Sequence, residues 1–431
     1  MVTTLTPPGQ PLARLLYSLI LYLLLPVAVL RLGLRGLRNP AYWRRWSERF
    51  GYAPVLEQAG CIWLHAVSVG ETRAAAPLVR ALMQHYPGQR ILITTMTPTG
   101  SDQVCALFGK QVEHCYVPYD LPTAIGRFLG RTRPALAIIM ETEFWPNLFH
   151  QCRQRGIPLV LANVRMSEKS ARGYRRFAGL TQATLANVSR VGAQTEDDAA
   201  RLRALGATPV DVTGSIKFEM DVPADIVARA AVLRGGFGER PVWVAASTRE
   251  GEEEYVLAAF ARLRERSPQL LLVLVPRHPE RFDSVAKLCR QRGFHVERRS
   301  EHQDNIAPDT AILLGDTMGE LLLFHAAADV SYIGGSLVPL GGQNLLEAAA
   351  VGTPVVFGPH MFNFSDISRM ALERGAGRQV QDAAELARVV ADYLEQPAVR
   401  IAAGAAGQRM VAENRGALAK TLALLRPLLI G

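Results

Sequence analysis

The chain has 431 residues, of which 49% are hydrophobic and 20% charged, and its 48 basic and 39 acidic side chains give a net charge of +9. The length fits two or three domains, and the apolar fraction supports a large core, which excludes a wholly disordered chain. Residues 1–50 contain seven arginines and one acidic residue, so the remainder is nearly neutral and no nucleic-acid partner is expected. The five cysteines are scattered without a CxxC pair, which excludes a disulfide framework and a zinc ribbon.

An apolar segment lies close to the start of the chain. Residues 15–30, between Arg14 and Arg31, are uncharged and mostly apolar, with Pro26 among them. As a helix they span about 24 Å, less than the roughly 30 Å of a hydrocarbon core. Arginines rather than a small-residue cleavage site follow, which disfavours a signal peptide. A membrane anchor, spanning or partly inserted, is favoured over a buried core helix, and the positive-inside rule puts the remainder of the protein in the cytoplasm.

Basic and aromatic residues follow this segment, and we call them the basic collar. Their composition fits the headgroup level of a membrane, where anionic lipid attracts each basic residue by about 1 kcal/mol. The collar comprises Arg31, Arg35, Arg38, Tyr42, Trp43, Arg44, Arg45, Trp46 and Arg49.

From residue 60 onward, short apolar runs alternate with amphipathic stretches of helical length, which is the βαβ pattern of a parallel sheet. A break around residues 214–225 indicates a linker. The sequence predicts an α/β fold with an N-terminal anchor (1–50) and two doubly wound, Rossmann-like domains (51–222 and 223–431). Ligands are expected at the carboxyl ends of the strands, in the cleft between the two domains. The predicted strands are residues 62–67, 91–94, 136–139, 159–162, 242–245, 271–275, 311–313, 330–333 and 355–357.

Two acidic motifs end predicted strands of the first domain. Glu71, in His-Ala-Val-Ser-Val-Gly-Glu71, is either a helix-capping carboxylate or a general base. Glu141, in Glu141-Thr-Glu143-Phe-Trp-Pro-Asn, follows the strand at 136–139, and the Trp-Pro pair indicates a loop of fixed shape. Two acids alone are weak support for a divalent cation, and the chain has no Asp-x-Asp motif, so no metal site is predicted.

Three basic residues are candidates for stabilising negative charge on a ligand. Lys217, in Gly-Ser-Ile-Lys217-Phe, lies in the predicted linker, where it faces either the cleft or the solvent. Arg277 and His278 follow the strand at 271–275, and the prolines on both sides of them fix the backbone. This arrangement suits phosphate binding, although a rigid basic turn would look the same.

A glycine-rich segment of the second domain is the strongest ligand-binding motif. Gly334 and its neighbour end a predicted strand, and the sequence from Gly341 is predicted to open a helix whose N-terminus suits a phosphate. Asn344 and Glu347 fall on one face of that helix, where they can bind a ribose. The spacing is neither GxGxxG nor Walker A, which disfavours dinucleotides and ATP. Residues 315–320 follow another strand and are expected to line the same pocket, unless Asp316 or Thr317 only caps a helix there.

In this order, the motifs resemble those of the 3-deoxy-D-manno-oct-2-ulosonic acid (Kdo) transferases of Gram-negative lipopolysaccharide synthesis. The resemblance implies a GT-B fold, CMP-Kdo as the donor and a lipid A precursor (lipid IVA) as the acceptor. For this reaction we expect a single displacement that inverts the anomeric carbon of Kdo, without cofactor or metal. The resemblance further implies attachment to inner-membrane lipids on the cytoplasmic side, through the N-terminal segment. The motifs are Ser68-Val-Gly-Glu71, Glu141-Thr-Glu-Phe-Trp-Pro-Asn147, Gly214-Ser-Ile-Lys217-Phe, Val275-Pro-Arg-His-Pro279 and Gly341-Gly-Gln-Asn344-Leu-Leu-Glu347.

The resemblance also implies roles for individual residues. It makes Glu71 the general base, and it makes Glu141 and Lys217 residues that help the transition state. One departure is Arg249, where the family pattern has histidine, so the contacts of that loop do not carry over. The residues matching CMP-contacting segments are Arg277, His278, Met318, Gly319, Glu320, Asn344, Leu345, Leu346 and Glu347.

Two other classes of function are open from the sequence. Another GT-B enzyme, either a different nucleotide-sugar transferase or a UDP-sugar epimerase, is disfavoured because a soluble epimerase needs neither anchor nor collar. A membrane-attached scaffold with an inactive sugar-nucleotide pocket is disfavoured because Glu71 is present together with Arg277 and Asn344.

Overall fold

A computed structural model of the chain describes residues 10–56, 58–220, 222–301 and 306–429. It divides into two compact units, of which the first comprises Met1–Glu219 with Arg415–Gly431, and the second Met220–Asn414. The first nine residues of the predicted anchor, and the last two of the chain, lie outside the described residues.

Each unit is built on a seven-stranded sheet in which all neighbouring strands are parallel. The strands of the first unit are β1 (Cys61–His65), β2 (Ile91–Thr95), β3 (Glu113–Tyr116), β4 (Pro134–Met140), β5 (Leu159–Val164), β6 (Arg190–Ala193) and β7 (Val210–Val212). Those of the second are β8 (Val242–Thr248), β9 (Leu271–Pro276), β10 (Val296–Arg298), β11 (Ile312–Leu314), β12 (Val330–Ile333), β13 (Val355–Phe357) and β14 (Gly377–Gln379). The strand orders are β3-β2-β1-β4-β5-β6-β7 and β10-β11-β9-β8-β12-β13-β14. The prediction of two doubly wound α/β units is confirmed.

Helices connect these strands and cover the sheets. In the first unit they are α1 (Gln10–Arg38), α2 (Val69–His85), α3 (Pro98–Phe108), α4 (Pro122–Thr132), α5 (Pro146–Gln154), α6 (Glu168–Arg175), α7 (Ala178–Leu185) and α8 (Glu196–Ala204). The helices of the second unit are α9 (Ile226–Phe237), α10 (Glu253–Arg266), α11 (Phe282–Gln291), α12 (Leu321–Ala327), α13 (Leu346–Ala350), α14 (Ser365–Glu373), α15 (Ala383–Glu395) and α16 (Pro397–Glu413). The last helix, α17 (Ala417–Leu429), belongs to the first unit. Short 3₁₀ helices occupy Pro40–Trp43, Trp46–Phe50, Ile216–Phe218 and Pro279–Arg281.

Both faces of each sheet are buried, which explains why the central strands are near-continuous apolar runs. Successive side chains of β1 point to opposite faces, so Trp63 packs in one apolar cluster while Ile62 and Leu64 pack in the other. In the second sheet, Trp243 and Val244 separate in the same way. Each unit therefore has its own core on both sides of its sheet.

Helix α17 returns the chain to the first unit. Leu424 and Leu425 join the apolar cluster on one face of the first sheet, and Glu219 Oε1 accepts a hydrogen bond from the Gly416 N–H at 2.7 Å. The second unit therefore ends at Asn414, earlier than the predicted domain of residues 223–431, because the apolar face of α17 covers the first sheet.

The strand order reverses between β1 and β4 in the first sheet, and between β8 and β12 in the second. Connections diverge at such a switch point and leave a crevice at the carboxyl ends of the strands. Glu71 and Glu141 follow β1 and β4, whereas Glu252 and the glycine-rich segment from Gly334 follow β8 and β12. The two switch points mark the candidate site of each unit.

Helix α1 is fixed to the first unit along one side. Tyr17 Oη donates to Asp120 Oδ2 at 3.0 Å, and Ser18 Oγ donates to Asn147 Oδ1 at 3.0 Å. One turn further on, the hydroxyls of Tyr22 and Thr123 lie 2.9 Å apart. Tyr22 follows Ser18 by four residues, or about one helical turn, so the contacts lie along one side of the helix.

The opposite side of α1 carries large apolar side chains open to solvent, such as Leu23 at 70% and Leu30 at 64% exposure. Among the described residues, α1 contains the one stretch, Leu12–Leu37, that is long and apolar enough to cross a membrane. So much exposed apolar surface on one helix favours association with a membrane and disfavours the buried core helix.

Part of the basic collar is internal. Arg49 is 3% exposed, its guanidinium lies 4.4 Å from the centre of the Tyr116 ring, and it donates to the Met96 carbonyl at 3.0 Å. Arg45 pairs with the buried Glu48 at 2.8 Å. Arg49 therefore does not take the expected headgroup position, because its charge holds the collar to the first sheet.

Candidate active site

Glu71 lies in the first turn of α2 and is partly buried. Ser68 caps this helix, since its Oγ accepts from the Glu71 N–H at 3.3 Å, and Glu71 Oε2 in turn accepts from the Val67 N–H at 2.8 Å. Burial raises the pKa of Glu71 to about 8, and the charges of Glu141 and Glu143 add to this rise against the opposing Val67 hydrogen bond. Glu71 therefore does take part in capping α2. Its carboxyl group also has a pKa that suits proton transfer near neutral pH.

Glu141 and Lys217 form an ion pair at the same sheet edge. Lys217 Nζ lies 3.6 Å from Glu141 Oε1, and each side chain is 30% exposed. Glu141 has a φ of +56°, in the left-handed region that non-glycine residues rarely adopt. Such backbone strain costs about 1–3 kcal/mol and occurs often at functional sites. The structure therefore brings together the three predicted residues of the first unit, since the charge of Glu141 also acts on Glu71.

Asn163, which the motif analysis missed, supports the segment that carries Lys217. It is fully buried, has a φ of +58°, and its Oδ1 accepts from the Ile216 N–H at 3.0 Å. Asn163 lies at the end of β5, directly after the predicted strand at 159–162. The sequence feature that could have identified Asn163 is a polar residue directly after an apolar strand, at the edge of the sheet where ligands are expected.

Glu143 is held beside Glu141 by the loop that the Trp-Pro pair predicts to be fixed. Trp145 Nε1 donates to Glu143 Oε2 at 3.0 Å, and the Trp145 ring packs edge-on against His65, with ring centres 5.6 Å apart. Burial raises the pKa of Glu143, the Trp145 hydrogen bond lowers it, and the charge of Glu141 raises it. Three carboxyl groups therefore share one partly buried region of the first unit.

Asp120 lies beneath α1 and joins it to the start of α5. Its Oδ1 accepts from the Leu148 N–H at 2.8 Å, and its Oδ2 accepts from the Asn147 N–H and from Tyr17 Oη at 3.0 Å each. Burial raises the pKa of Asp120 to about 7, against the lowering effect of these hydrogen bonds. The sequence around Asp120 looks like an ordinary turn before a helix, so it gave no signal.

In the second unit, Glu252 organises the glycine-rich segment after β12. The carboxylate is fully buried and accepts hydrogen bonds from two loops at once. A Cβ at Gly334 would lie 2.5 Å from the Ser247 carbonyl oxygen, so only glycine allows this approach. The donors to Glu252 are Tyr332 Oη at 2.7 Å, Ser336 N–H at 2.9 Å, Leu337 and Arg249 N–H at 3.0 Å each, and Gly335 N–H.

His278 and Arg249 connect the loops after β9 and β8. His278 Nε2 lies 2.9 Å from Arg249 Nη1, and the Arg277 N–H donates to the Thr248 carbonyl at 3.0 Å. Burial and the charges of Arg249 and Arg277 lower the pKa of His278, which favours the neutral ring as the acceptor. Arg249, the departure from the family pattern, thus lies with two of the predicted CMP-contacting residues.

Met318 and Gly319 lie in the loop before α12, where Met318 is 72% exposed and free to meet a ligand. Glu320 directly precedes the helix and accepts from Arg299 Nη2 at 3.0 Å. Burial alone would raise the pKa of Glu320, but its hydrogen bonds and the Arg299 charge lower it overall. The neighbouring Asp316 does not cap α12, because its carboxylate binds the loop at Ser300.

Helix α13 begins at Leu346, later than the predicted opening at Gly341, so both glycines of that motif belong to the preceding loop. There the Gly342 N–H donates to the Gly335 carbonyl at 2.7 Å. Both glycines have positive φ, which the tight return of the chain requires. The backbone in this loop, rather than a helix N-terminus, is what the motif offers to a ligand.

Asn344 and Glu347 lie on the same side of this segment. Asn344 Nδ2 donates to Glu347 Oε1 at 3.2 Å, so the two side chains form a connected polar pair. The side chains of Leu345 and Leu346 are fully buried, which restricts these two residues to backbone contacts with a ligand. In the part of the chain that the structure describes, no group of three or more His, Cys, Asp or Glu side chains is placed to hold a metal ion.

Two doubly wound, fully parallel units with polar residues at both switch points define the GT-B class of glycosyltransferases and their relatives. A solved glycosyltransferase from Rickettsia africae has the same fold, with a TM-score of 0.54 over 86% of this chain and 99% of that one. The two sequences are 12% identical, so this likeness concerns the fold alone.

Sequence comparison identifies the family. Residues 44–220 match the model described as 3-deoxy-D-manno-octulosonic-acid transferase (kdotransferase). The 3-deoxy-D-manno-octulosonic acid transferase of Haemophilus influenzae is 41% identical over 427 residues, covering 96% of this chain and 99% of the relative. That of Bordetella pertussis is 40% identical, covering 95% and 98%. The chain belongs to the Kdo transferase family and is a glycosyltransferase.

Proposed function

We propose that the chain transfers Kdo from CMP-Kdo to a lipid A precursor, lipid IVA, with inversion at the anomeric carbon of Kdo. Family membership supports the transfer of Kdo, and the ordered motifs support this donor and acceptor. The observation that carries the chemistry is Glu71, placed at the carboxyl edge of the first sheet with a pKa raised to about 8 by burial and by neighbouring carboxylates. A carboxylate with this pKa can take a proton near neutral pH.

In the proposed reaction, Glu71 accepts the proton of a primary hydroxyl of the acceptor glucosamine as that oxygen bonds to the anomeric carbon. The bond from this carbon to the CMP phosphate oxygen breaks, and CMP leaves with the electron pair. General base catalysis contributes about 10²–10⁴-fold. The transition state resembles an oxocarbenium ion, and the ion pair of Lys217 with Glu141 provides fixed charges in its vicinity.

The second unit supplies the proposed donor site. Arg277 and His278 bind phosphate, the loop from Met318 to Glu320 and the pair Asn344–Glu347 bind the nucleoside, and Glu252 holds the glycine-rich loop in shape. These side chains provide cations and N–H donors for the leaving CMP, so the proposed reaction uses no metal and no cofactor.

The protein is proposed to act on the cytoplasmic face of the inner membrane, where α1 attaches it to the membrane lipids. Tyr17, Ser18 and Tyr22 bind polar groups of the first unit, so lipid cannot surround this part of the helix. A helix that is surrounded by the hydrocarbon of a membrane typically carries apolar side chains on all sides. The contacts therefore support partial insertion, with α1 lying along the membrane surface, over a full span.

The test is transfer by the full chain in vesicles, with fresh CMP-Kdo, a tetraacylated lipid A precursor and EDTA, followed by mass measurement of the lipid. A lipid heavier by one or more Kdo residues is expected. The Glu71→Gln variant should lose about 10²–10⁴-fold in kcat; a rate near that of the wild type would refute the assignment of the base. Binding of CMP-Kdo without product would refute the acceptor, and no binding would refute the donor.

A further inference from the structure

A groove lies between α1 and the loop that follows β4, within the first unit, and we call it the α1 groove. Leu21, Leu25 and Ala28 of α1 line one side, and Leu121 and Phe144 line the other. Its volume is about 290 Å³, close to the lower limit of ordinary small-molecule pockets, roughly 300 Å³. The groove thus has room for part of a large ligand.

The α1 side of the groove is an apolar stripe on one helix face. Tyr17, Leu21, Leu24 and Ala28 are spaced by three and four residues, so they lie above one another on the same side of the helix. Tyr17, Leu21 and Ala28 are partly buried against the first unit, and Leu24 lies at the outer edge of the stripe with 52% exposure. Leu23 points to solvent with 70% exposure. An apolar stripe that faces the protein across open space leaves contacts unmade, which a hydrocarbon ligand would supply.

One end of the groove is polar and adjoins the candidate catalytic carboxylates. Glu143 and Asp120 belong to its lining. Glu143 is two residues from Glu141, and its charge acts on Glu71. The groove therefore suits an amphipathic ligand whose polar, reacting end lies at the carboxylates and whose hydrocarbon end lies along α1.

A second groove runs on the other side of Phe144 and Tyr17, which line both. Tyr174, whose ring centre lies 4.6 Å from that of Phe144, and Leu180 contribute to it. Two neighbouring apolar grooves that share Tyr17 and Phe144 fit a ligand with more than one hydrocarbon chain.

We propose that the α1 groove binds an acyl chain of the lipid acceptor and so positions its reacting hydroxyl at the candidate catalytic carboxylates. This assignment rests on the proposed function, because it takes the acceptor to be an acylated sugar. In this arrangement α1 has two roles: its outer face attaches the protein to the membrane, and its inner face selects the substrate.

The first test fills the groove. Ala28→Trp places a large side chain in the apolar stripe, and Val27→Trp adds the same side chain to the neighbouring residue, which is 60% exposed. Both variants gain the same membrane-seeking group, so a difference between them reports on the groove. Kdo transfer is measured with the tetraacylated disaccharide and with the same disaccharide stripped of its acyl chains.

We expect Ala28→Trp to lower kcat/KM at least tenfold for the acylated acceptor, and to leave the rate with the stripped acceptor within twofold of the wild type. Val27→Trp should match the wild type with both acceptors. Equal loss with both acceptors, no loss with either, or equal behaviour of the two variants would overturn the proposal.

The second test does not depend on transfer. A tetraacylated disaccharide with a photoreactive diazirine in one acyl chain is bound to the full chain in vesicles, irradiated, and mapped by peptide mass. Labelling of Leu21–Ala28 or Phe144 is expected, with at least fivefold less in Ala28→Trp; label elsewhere, or equal labelling by a phospholipid with the same chain, would overturn the proposal. Labelled grooves in a protein that transfers no Kdo would refute the proposed function and keep the acyl-chain site.

Discussion

Lys217 Nζ lies 3.6 Å from Glu141 Oε1, which pairs a cation on the short helix after β7 with a carboxylate after β4. Both side chains are 30% exposed, and ion pairs of this kind contribute only about 0–1 kcal/mol to stability. The same carboxylate sits on strained backbone. The stability gained from this ion pair does not offset the backbone strain at Glu141. The arrangement is better explained by the placement of charge for a reaction.

Replacement of Lys217 by alanine should separate these two roles. We expect kcat for Kdo transfer to fall by about 10²–10³-fold, because a charge that acts on the transition state is lost. The free energy of unfolding should fall by less than about 1 kcal/mol. Steady-state kinetics and urea unfolding measure the two effects, and Lys110→Ala, at an exposed position of the same unit, is the control. Equal activity of the two variants would contradict the prediction.

The rate of transfer should increase with pH. Only deprotonated Glu71 can take a proton, so kcat/KM is expected to rise with a midpoint at a pH of about 8 and to level off above it. Glu143→Gln removes a negative charge that raises the pKa of Glu71, so its profile should shift to lower pH. Glu239→Gln, at an exposed position of the second unit, should keep the wild-type midpoint. If the pH profiles of both variants have the same midpoint, the proposed effect of the Glu143 charge on the pKa of Glu71 is refuted.

The same carboxyl group gives stability a pH dependence of the opposite sense. Between pH 4.5, the ordinary pKa, and about 8, the folded chain holds the Glu71 proton and the unfolded chain has released it. Because the folded state binds more protons, the free energy of unfolding falls as the pH rises through this window. Glu71→Gln should reduce that slope, which urea unfolding at a series of pH values measures.

Glu252 should control the shape of the donor site. Glu252→Ala leaves the N–H and O–H donors of two loops without their buried acceptor, and each unsatisfied donor costs about 1–3 kcal/mol. We expect the free energy of unfolding to fall by more than about 3 kcal/mol, and CMP to bind at least tenfold more weakly. Calorimetry below the melting temperature measures the binding. Glu250→Ala, two residues away and exposed, is the control; CMP affinity equal in the two variants would argue against Glu252.

The outer face of α1 should govern membrane binding. Leu23→Asp together with Leu30→Asp puts charges at positions that are 70% and 64% exposed, so the fold should tolerate them while attachment weakens. The double variant is expected to leave vesicles in a flotation assay. Val227→Asp changes a valine that is 75% exposed on α9 and should remain bound. If the double variant stays on the vesicles, attachment through this face is wrong.

Most of the fold is readable in the sequence because the central strands are buried on both faces and stand out as apolar runs. All nine predicted strands overlap strands of the structure, whereas β3, β6, β7, β10 and β14 were missed. Four of those missed, β3, β7, β10 and β14, are the edges of the two sheets. An edge strand such as Glu113–Tyr116 needs less apolar cover, so its residues carry no strong pattern.

The site was only partly readable. Glu71 and Glu141 could be found because each directly follows an apolar strand, and the structure places their charges near each other. Asp120 and Glu252 were missed because what makes them unusual is burial, and burial arises from segments distant in sequence, such as α1 over Asp120. The helix start at Leu346 was misplaced because a glycine-rich loop and a helix N-terminus share the same residue types.

The C-terminal helix has a consequence for how the protein is made. Residues of α17 pack on one face of the first sheet, yet they are synthesised after the entire second unit. On the ribosome, α2 and α3 can pack on this face early, but the part that α17 covers stays exposed until α17 emerges. A premature stop that removes only Arg415–Gly431 would therefore damage the unit that carries Glu71, although it lies more than three hundred residues away in the chain.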